Sequence, residues 1–593
     1  MTCQQGSITP SGRAPVSLRP ERPRLARVLF AVTVAPALAI ALAQARTVGV
    51  RADHPAGPVE PFSDITESSG MDFVHFNGMS GEWFVPEIMG SGAALFDYDG
   101  DGDLDLYLVQ GTMLGPDKTL GDATFPPAAA QMPLMGRLYR NDLSDGEIRF
   151  VDVTQVSGLR ATGYGMGVAT GDIDNDGDVD LYITNFGSNQ LWVNNGDGTF
   201  SDRTVAAGVG DPRWSVSASF FDYDRDGWLD LYVGNYLDFN YSNQQVCGNE
   251  ERPDYCSPLH WNVTRDRLFR NTGGIFEDVT EKTGIGNFFG NALGVVAADF
   301  NGDGFEDLYV ANDSMLNLLW MNDGEGHFRN TALLAGAAVN ADGHPEAGMG
   351  IGVADHDGDG DLDLFITHLS RETSTLYVND GRARFSDGTA NAGLAQTTFP
   401  FTSFGTAWLD YDNDGWLDIL TANGGVLGSL HPLAQRNQLF HNDGAGVYEE
   451  IIPGNQNPLA QPRVSRGAAF GDLDNDGDTD VVISNNAGPA RVLRNETGQN
   501  AHWLGLRVLS NGRDAHGAVV VAQTGNGSVR RRVQTDGSYA SARDPRVRFG
   551  LGSRDTPISI RVYWPDGTVE NWPELAIDRY HELEQHHGNT LKQ

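Results

Sequence analysis

The sequence predicts an all-β protein, a ring of seven four-stranded units closed by its N-terminal strand and followed by a small C-terminal β domain. Three observations predict it. The string D-x-D-x-D-G-x-x-D, with close variants, occurs seven times, starting at Asp97, Asp172, Asp222, Asp299, Asp355, Asp410 and Asp472. A short run of alternating polarity follows each copy, as in Leu104-Asp105-Leu106-Tyr107-Leu108. An orphan strand-like segment, Phe62 to Thr66, precedes the first copy.

Within each unit the elements keep one order. Small residues such as Gly90-Ser91-Gly92-Ala93-Ala94 give a first strand fit for a crowded inner rim. The alternating run after the string is a second strand, with period 2 and β-branched or aromatic residues. Segments like Leu191-Trp192-Val193-Asn194 supply a third strand. After a Gly-rich turn, segments like Phe276-Glu277-Asp278-Val279-Thr280 supply a fourth. Fourth strands start at Phe150, Phe200, Phe276, Phe328, Phe385 and Tyr448, and the seventh unit has none. Phe62–Thr66 fills that place, so the first and last units share a sheet and no edge is left bare. Four strands per unit and seven units make a seven-bladed β-propeller. An open solenoid would leave two bare edges and no role for Phe62–Thr66.

The strings read as calcium-binding hairpin loops. Crowded carboxylates repel one another unless a cation lies between them. Side chains at positions one, three, five and nine converge, with the carbonyl of position seven, and a Gly at position six permits the turn. The predicted ligands are Asp97, Asp99, Asp101, Asp105 and the Asp103 carbonyl in the first loop. In the second they are Asp172, Asp174, Asp176, Asp180 and the Asp178 carbonyl. The third has Asp222, Asp224, Asp226, Asp230 and the Trp228 carbonyl. The fourth has Asp299, Asn301, Asp303, Asp307 and the Phe305 carbonyl, with one charge fewer. The fifth has Asp355, Asp357, Asp359, Asp363 and the Asp361 carbonyl. The sixth has Asp410, Asp412, Asp414, Asp418 and the Trp416 carbonyl. The seventh has Asp472, Asp474, Asp476, Asp480 and the Asp478 carbonyl. An all-oxygen donor set without His or Cys favours calcium, about seven ions, over transition metals or magnesium. Position twelve holds Leu108, Ile183, Val233, Val310, Ile366, Thr421 and Ile483, where an EF-hand needs a bidentate Glu.

The N-terminus reads as an export signal. Arg13, Arg19, Arg22, Arg24 and Arg27 precede an apolar run from Val28 to Ala43, and Ala43-Gln44-Ala45 offers a cleavage site. The basic segment is long, which leaves an uncleaved membrane anchor as the alternative. A secreted or extracytoplasmic location follows, at a cell surface or in a periplasm, with membrane contact only if the leader is retained. Export makes a Cys247–Cys256 disulfide the expected pairing, against two free thiols. The formal charge of −38 argues against nucleic acid as a partner.

Across Phe62 to Thr497 the repeated strings resemble the FG-GAP/VCBS repeats of integrin α-type propellers. The resemblance implies seven blades with calcium in a structural role. After Asn500, the segments Val547-Arg548-Phe549-Gly550-Leu551-Gly552 and Val562-Tyr563-Trp564-Pro565-Asp566-Gly567 resemble the ASPIC/UnbV domain of cartilage acidic protein-like proteins. So do Gly517–Val521 and Gly537–Ser541, and, within the propeller, Pro86–Gly90 and Tyr255–Pro258. The start at Asn511-Gly512-Arg513-Asp514-Ala515-His516-Gly517 matches more loosely. The domains expected are a signal peptide over 1–45, a linker over 46–61, the propeller over 62–497, the ASPIC/UnbV domain over 498–575 and a tail over 576–593. Read alone, the C-terminal module alternates over Trp503–Val508, Ala518–Gln523, Val529–Gln534 and Ile558–Trp564.

No serine elbow, HExxH, phosphate loop or His/Asp acid–base pair is evident, so catalytic residues are not assigned. His356 is expected to point outward and His368 to be a turn residue. Arg530, Arg531 and Arg532 read as a solvated strand or a contact with the acidic propeller, or else as an anionic-glycan site. The expected function is an extracellular adhesion module binding a protein or glycan. The alternative is a polysaccharide-binding lectin or carbohydrate-active enzyme using propeller clefts. The insertion Tyr236 to Arg267 is the candidate partner surface, with Tyr255 and Trp261 as its contact residues.

Overall fold

The computed structural model describes residues 60–428, 432–524 and 527–591. The leader and the linker up to residue 59 lie outside the described residues. Among the described residues no helix is long and apolar enough to cross a membrane.

The described residues are all-β, with only short helical turns between strands. Seven antiparallel sheets of four strands run from residue 62 to residue 495. Their first strands are Ala93–Phe96, Tyr164–Gly171, Ser215–Phe221, Ala292–Ala298, Ile351–Ala354, Ser403–Leu409 and Ser465–Gly471. Each second strand begins on the ninth residue of an aspartate loop, as in Asp105–Leu108 and Asp180–Phe186. The register follows, with Phe96 opposite Asp105 and Gly171 opposite Asp180. Fourth strands start at Phe150, Phe200, Phe276, Phe328, Phe385 and Tyr448. In the last sheet Phe62–Asp64 takes the fourth place, with Phe62 opposite Asn495. Arg491 fixes that junction by gripping the Asp64 carboxylate at 2.5 and 2.9 Å.

First strands of successive sheets lie side by side, and Ala93–Phe96 also lies beside Ser465–Gly471 of the last sheet. Glycine makes this approach sterically feasible. A Cβ on Gly350 would sit 2.0 Å from the Phe404 carbonyl, and one on Gly294 would sit 2.2 Å from that of Met349. The apolar faces of neighbouring sheets bury each other, as where Leu106 and Tyr139 of the first sheet meet Val482 and Val492 of the last. That mutual burial is the main favourable force holding sheet on sheet.

The C-terminal module packs two small sheets around Leu504, Val520, Phe549, Ile560 and Val562. Within 576–593, read from the sequence as a tail, residues 580–590 supply strands to both sheets. Tyr580–Glu584 runs parallel to His502–Ser510, and Asn589–Thr590 pairs with Val569–Leu575.

A segment of this module, Thr535 to Asp544, threads between the first strands of the seven sheets. Asp544 donates its amide to the Phe470 carbonyl at 3.1 Å, and Ala542 donates to that of Ala93 at 2.9 Å. Ser538 exchanges two amide bonds with Ile351, at 2.7 and 2.9 Å, and the Ala540 carbonyl accepts from Val168 at 3.1 Å. Asp536 accepts the Ala297 amide at 2.7 Å. Ser217 and Ser538 hydroxyls accept from Ala540 and Thr406, each at 3.2 Å. Every sheet therefore satisfies part of this segment, and Tyr539 at its tip is fully buried.

Candidate metal centres

The seven aspartate loops share one geometry. Position one accepts the amide of position six in every copy, from Asp97 with Gly102 at 3.1 Å to Asp472 with Gly477 at 2.8 Å. Position five accepts the amide of position seven in every copy, as Asp101 does from Asp103 at 2.9 Å and Asp414 from Trp416 at 2.8 Å. The glycines at position six all lie at φ between 89° and 99°, a region closed to other residues at low cost. Position four is also left-handed, at φ between 56° and 79°, and there Asn175, Arg225, Asn413 and Asn475 replace Gly. Asn tolerates that milder conformation.

Position nine is the innermost group. Asp105, Asp180, Asp230, Asp307, Asp363, Asp418 and Asp480 are all buried. Each accepts two amides, one from position two of its own loop and one from the Asn ending the third strand. For Asp105 these are Tyr98 at 2.9 Å and Asn141 at 2.8 Å; for Asp480 they are Leu473 at 2.9 Å and Asn495 at 2.8 Å. Burial nevertheless dominates, pushing Asp105 up to about 9, Asp307 and Asp363 to about 8, and Asp418 to about 7.

Position three faces the middle of each cluster. In the second, third and seventh loops one oxygen each of Asp174, Asp224 and Asp474 is buried without a hydrogen-bond partner. Oxygens of Asp172, Asp174 and Asp180 lie within 4.8 Å of one another, as do those of Asp222, Asp224 and Asp230, and of Asp97, Asp99 and Asp101. Orphaned buried oxygens converging in this way fit a hard divalent cation. In the fourth loop an amide, Asn301, stands where the other loops have a carboxylate, and it donates to Asp303 at 2.8 Å.

Two loops carry a cationic side chain of their own. Arg270 binds Asp224 at 2.5 Å and Asp226 at 2.6 Å in the third loop. His441 lies 3.1 Å from Asp418 and 3.8 Å from Asp412 in the sixth, and its hydrogen bond to Asp418 pushes it up to about 9.

Sequence reasoning missed the asparagines that end the third strands. The side chain of Asn194 donates to the Tyr98 carbonyl of the preceding loop at 2.8 Å. Asn271, Asn322, Asn379, Asn442 and Asn495 do the same to Ile173, Tyr223, Phe300, His356 and Tyr411. Asn141 of the first sheet reaches Leu473 of the last at 2.9 Å. The signal was present, since Asn stands at this place in all seven units.

The C-terminal module lies over the loops. Arg507 is 3.7 Å from Asp97, and Arg513 donates to the Gly227 carbonyl at 3.0 Å. Arg532 pairs with Glu306 at 3.0 Å, and Arg530 donates to Gly360 at 3.1 Å. Gly552 donates its amide to Asn413 at 2.9 Å. Over the seventh loop Arg546 binds the Asp472 carbonyl and Tyr580 binds its carboxylate, at 2.8 and 2.7 Å. The basic cluster at 530–532 is thus a contact with the acidic sheets.

Three expectations are corrected. His356 is buried, its ring stacked on Trp408 with centroids 6.1 Å apart and lying beside Tyr448. Tyr255 and Trp261 are buried rather than offered to a partner. The Tyr255 hydroxyl donates to Glu87 at 2.9 Å, and Trp261 packs on Phe239. His368 lies two residues past its strand, which ends at Ile366, and is buried, held by the Thr373 carbonyl at 2.8 Å. The Cys247–Cys256 disulfide is present. Near it, Tyr164, Phe186, Trp214, Phe239 and Tyr241 line an aromatic pocket of about 560 Å³.

The comparisons with known proteins agree with the family resemblance. Residues 172–233, 252–310, 299–366 and 355–421 match the FG-GAP-like repeat, and 508–590 match the domain described as ASPIC and UnbV. Human Cartilage acidic protein 1 is 28% identical over 310 residues, covering 49% of this chain and 43% of that protein. The Xenopus tropicalis protein of the same name is 26% identical over 333 residues, covering 54% of this chain and 39% of that protein. The chain thus spans less than half the length of these relatives. An Agrocybe aegerita lectin that recognises non-reducing terminal N-acetylglucosamine aligns with 61% of this chain and 88% of its own, at 16% identity and a TM-score of 0.36.

Proposed function

We propose that this chain, which carries FG-GAP-like repeats and an ASPIC and UnbV domain, is a seven-bladed β-propeller held in shape by about seven calcium ions. It acts outside the cytoplasm as a binding module for a protein or glycan, and no catalysis is assigned to it. One observation carries the reading: a single loop geometry recurs seven times, and in three of the loops a position-three carboxylate oxygen is buried with no partner, left for a cation to fill. The bound ion supplies charge neutralisation and rigidity, while position one, five and nine carboxylates are pre-oriented by loop amides. The disulfide supports an oxidising location. Partner binding belongs to the face opposite the aspartate loops, because the C-terminal module lies over the loop face.

Metal analysis and calorimetry with and without a chelator test this. The expected result is about seven calcium ions per chain and a melting temperature that falls on chelation. A metal-free chain with an unchanged melt rejects it. A second reading, a lectin or carbohydrate-active enzyme, is favoured by the aromatic pocket, since sugar faces stack on such rings. Binding on a glycan array that Trp214→Ala abolishes would select the lectin, and turnover of a bound glycan would select the enzyme.

A further inference from the structure

Between the aspartate loops and the C-terminal module lies a cavity of about 520 Å³. That volume falls in the range of small-molecule sites, roughly 300–1,000 Å³. Its wall is mixed: Trp408, Leu417 and Val547 give apolar surface, while arginines of the module approach from one side.

Those arginines are not all matched. Arg546 and Arg548 share Asp544, at 3.0 and 2.6 Å. Arg532 is held by Glu306 and Asp536, at 3.0 and 3.2 Å. Arg543 also lines the cavity, yet among the described residues its guanidinium makes no hydrogen bond or ion pair. Burial and the neighbouring Arg548 push it down to about 10. Asp544 and Asp536 act on it only at a distance, each already engaged by other arginines. Arg531 and Trp564 line the same space. One terminal nitrogen of Arg531 and the indole nitrogen of Trp564 are buried with no partner. Trp564 is only 3% exposed. The remaining carboxylates in the wall, including Asp222, Asp299, Asp355 and Asp410, belong to the aspartate loops.

We propose that this cavity binds a small organic carboxylate. Its anionic head meets Arg543, Arg531 and the Trp564 N–H, and its apolar body lies against Trp408 and Leu417. Two buried N–H groups without acceptors, on Arg531 and Trp564, line the same space as the unpaired Arg543 guanidinium, and they mark a place where an acceptor is missing, because buried N–H groups without acceptors are costly. A guanidinium presents a fork that matches a carboxylate. The proposal rests on the calcium reading in one respect: ions in the loops take up the loop carboxylates, which leaves the arginine side in excess.

The test is calorimetric titration of the whole calcium-loaded chain with phenylacetate, and separately with inorganic sulfate. Saturable phenylacetate binding is expected, weakened at least tenfold by Arg543→Gln and about threefold by Trp564→Phe. Melting curves establish that both variants fold, and Arg543→Lys, which keeps the charge, retains part of the affinity. No saturable binding, or affinity in Arg543→Gln and Trp564→Phe within twofold of the parent, overturns the proposal. Sulfate binding as tight as phenylacetate also overturns it, since the apolar wall would then play no part. Metal analysis of the same sample tells failure of this site from failure of the calcium reading: loops without calcium undo the latter whatever the titration shows.

Discussion

At the scale of single residues, the loops separate what a backbone conformation demands from what a ligand demands. Position six is always Gly because φ near 90° is open to no other residue at low cost, whereas position four accepts Asn or Arg near 57°. A Cβ on Gly227 would meet nothing within 4 Å, so any effect there is conformational strain. Gly227→Ala should therefore cost about 1–2 kcal/mol in chemical denaturation. Arg225→Asn, two residues earlier, should leave the backbone of that loop unstrained, a contrast that measured stability checks directly. The buried carboxylates at position nine make a second expectation. Their folded values lie above the ordinary 3.9 of an aspartate, with Asp105 at about 9 and Asp307 and Asp363 at about 8. The folded metal-free chain then holds more protons than the unfolded one between about pH 4 and pH 9. By linkage its stability falls as pH rises through that window. A cation requires the ionised form, so calcium binding at pH 7 should release protons and remove most of this dependence. Calorimetric titration in buffers of different ionisation enthalpy measures the release; equal heats in all buffers would contradict it. The crowding of the four side-chain positions of each loop could be read from the sequence because all four sit within nine residues. The depth of position nine could not, since it comes from the third strand closing over the loop.

At the scale of elements, the strand order and hairpin register were legible because the repeat displays each strand seven times. What a repeat does not display is contact between copies. The asparagine ending each third strand was visible as a letter, yet its partner is the preceding loop, about 80 to 100 residues earlier for most copies. Asn271 is the plainest case, donating to both Ile173 and Leu229, at 2.7 and 3.0 Å. Asn271→Ala leaves both buried carbonyls without this donor and should cost about 1–3 kcal/mol. Thermal or urea denaturation against the parent reads that cost, and no loss would show that the bond between sheets contributes nothing. The insertion between the third and fourth loops went the other way. Its aromatic residues looked like a recognition surface, but Tyr255 turns inward because Glu87 is buried and accepts its hydroxyl. Sequence patterning shows that a loop is aromatic; it does not show which side of the loop is covered.

At the scale of the molecule, the C-terminal module behaves as part of the array of sheets and not as an appendage. Its segment from Thr535 to Asp544 follows the alternating run Val529–Gln534 and holds the Gly537–Ser541 match to the ASPIC/UnbV domain, and nothing local to it announces that seven distant strands will bond to it. Tyr539 is the centre of that arrangement, with its ring 4.8 Å from Phe404 edge to face and its hydroxyl 3.2 Å from the Met89 carbonyl. Around it lie Met166, Val216, Leu293 and Met349, contributed by several sheets. Tyr539→Ala should cost about 3–5 kcal/mol, the range for removing a buried aromatic ring. The more telling readout is cooperativity. Sheets that share the threaded segment lose their common support together, so the parent should melt in one calorimetric transition covering sheets and C-terminal module alike. A chain ending at Thr497 exposes the first strands and their unpaired amides, and should melt far lower. If the C-terminal module instead melted in a separate transition, with the remaining sheets unaffected by Tyr539→Ala, the threaded segment would be a passenger and the two parts would fold independently.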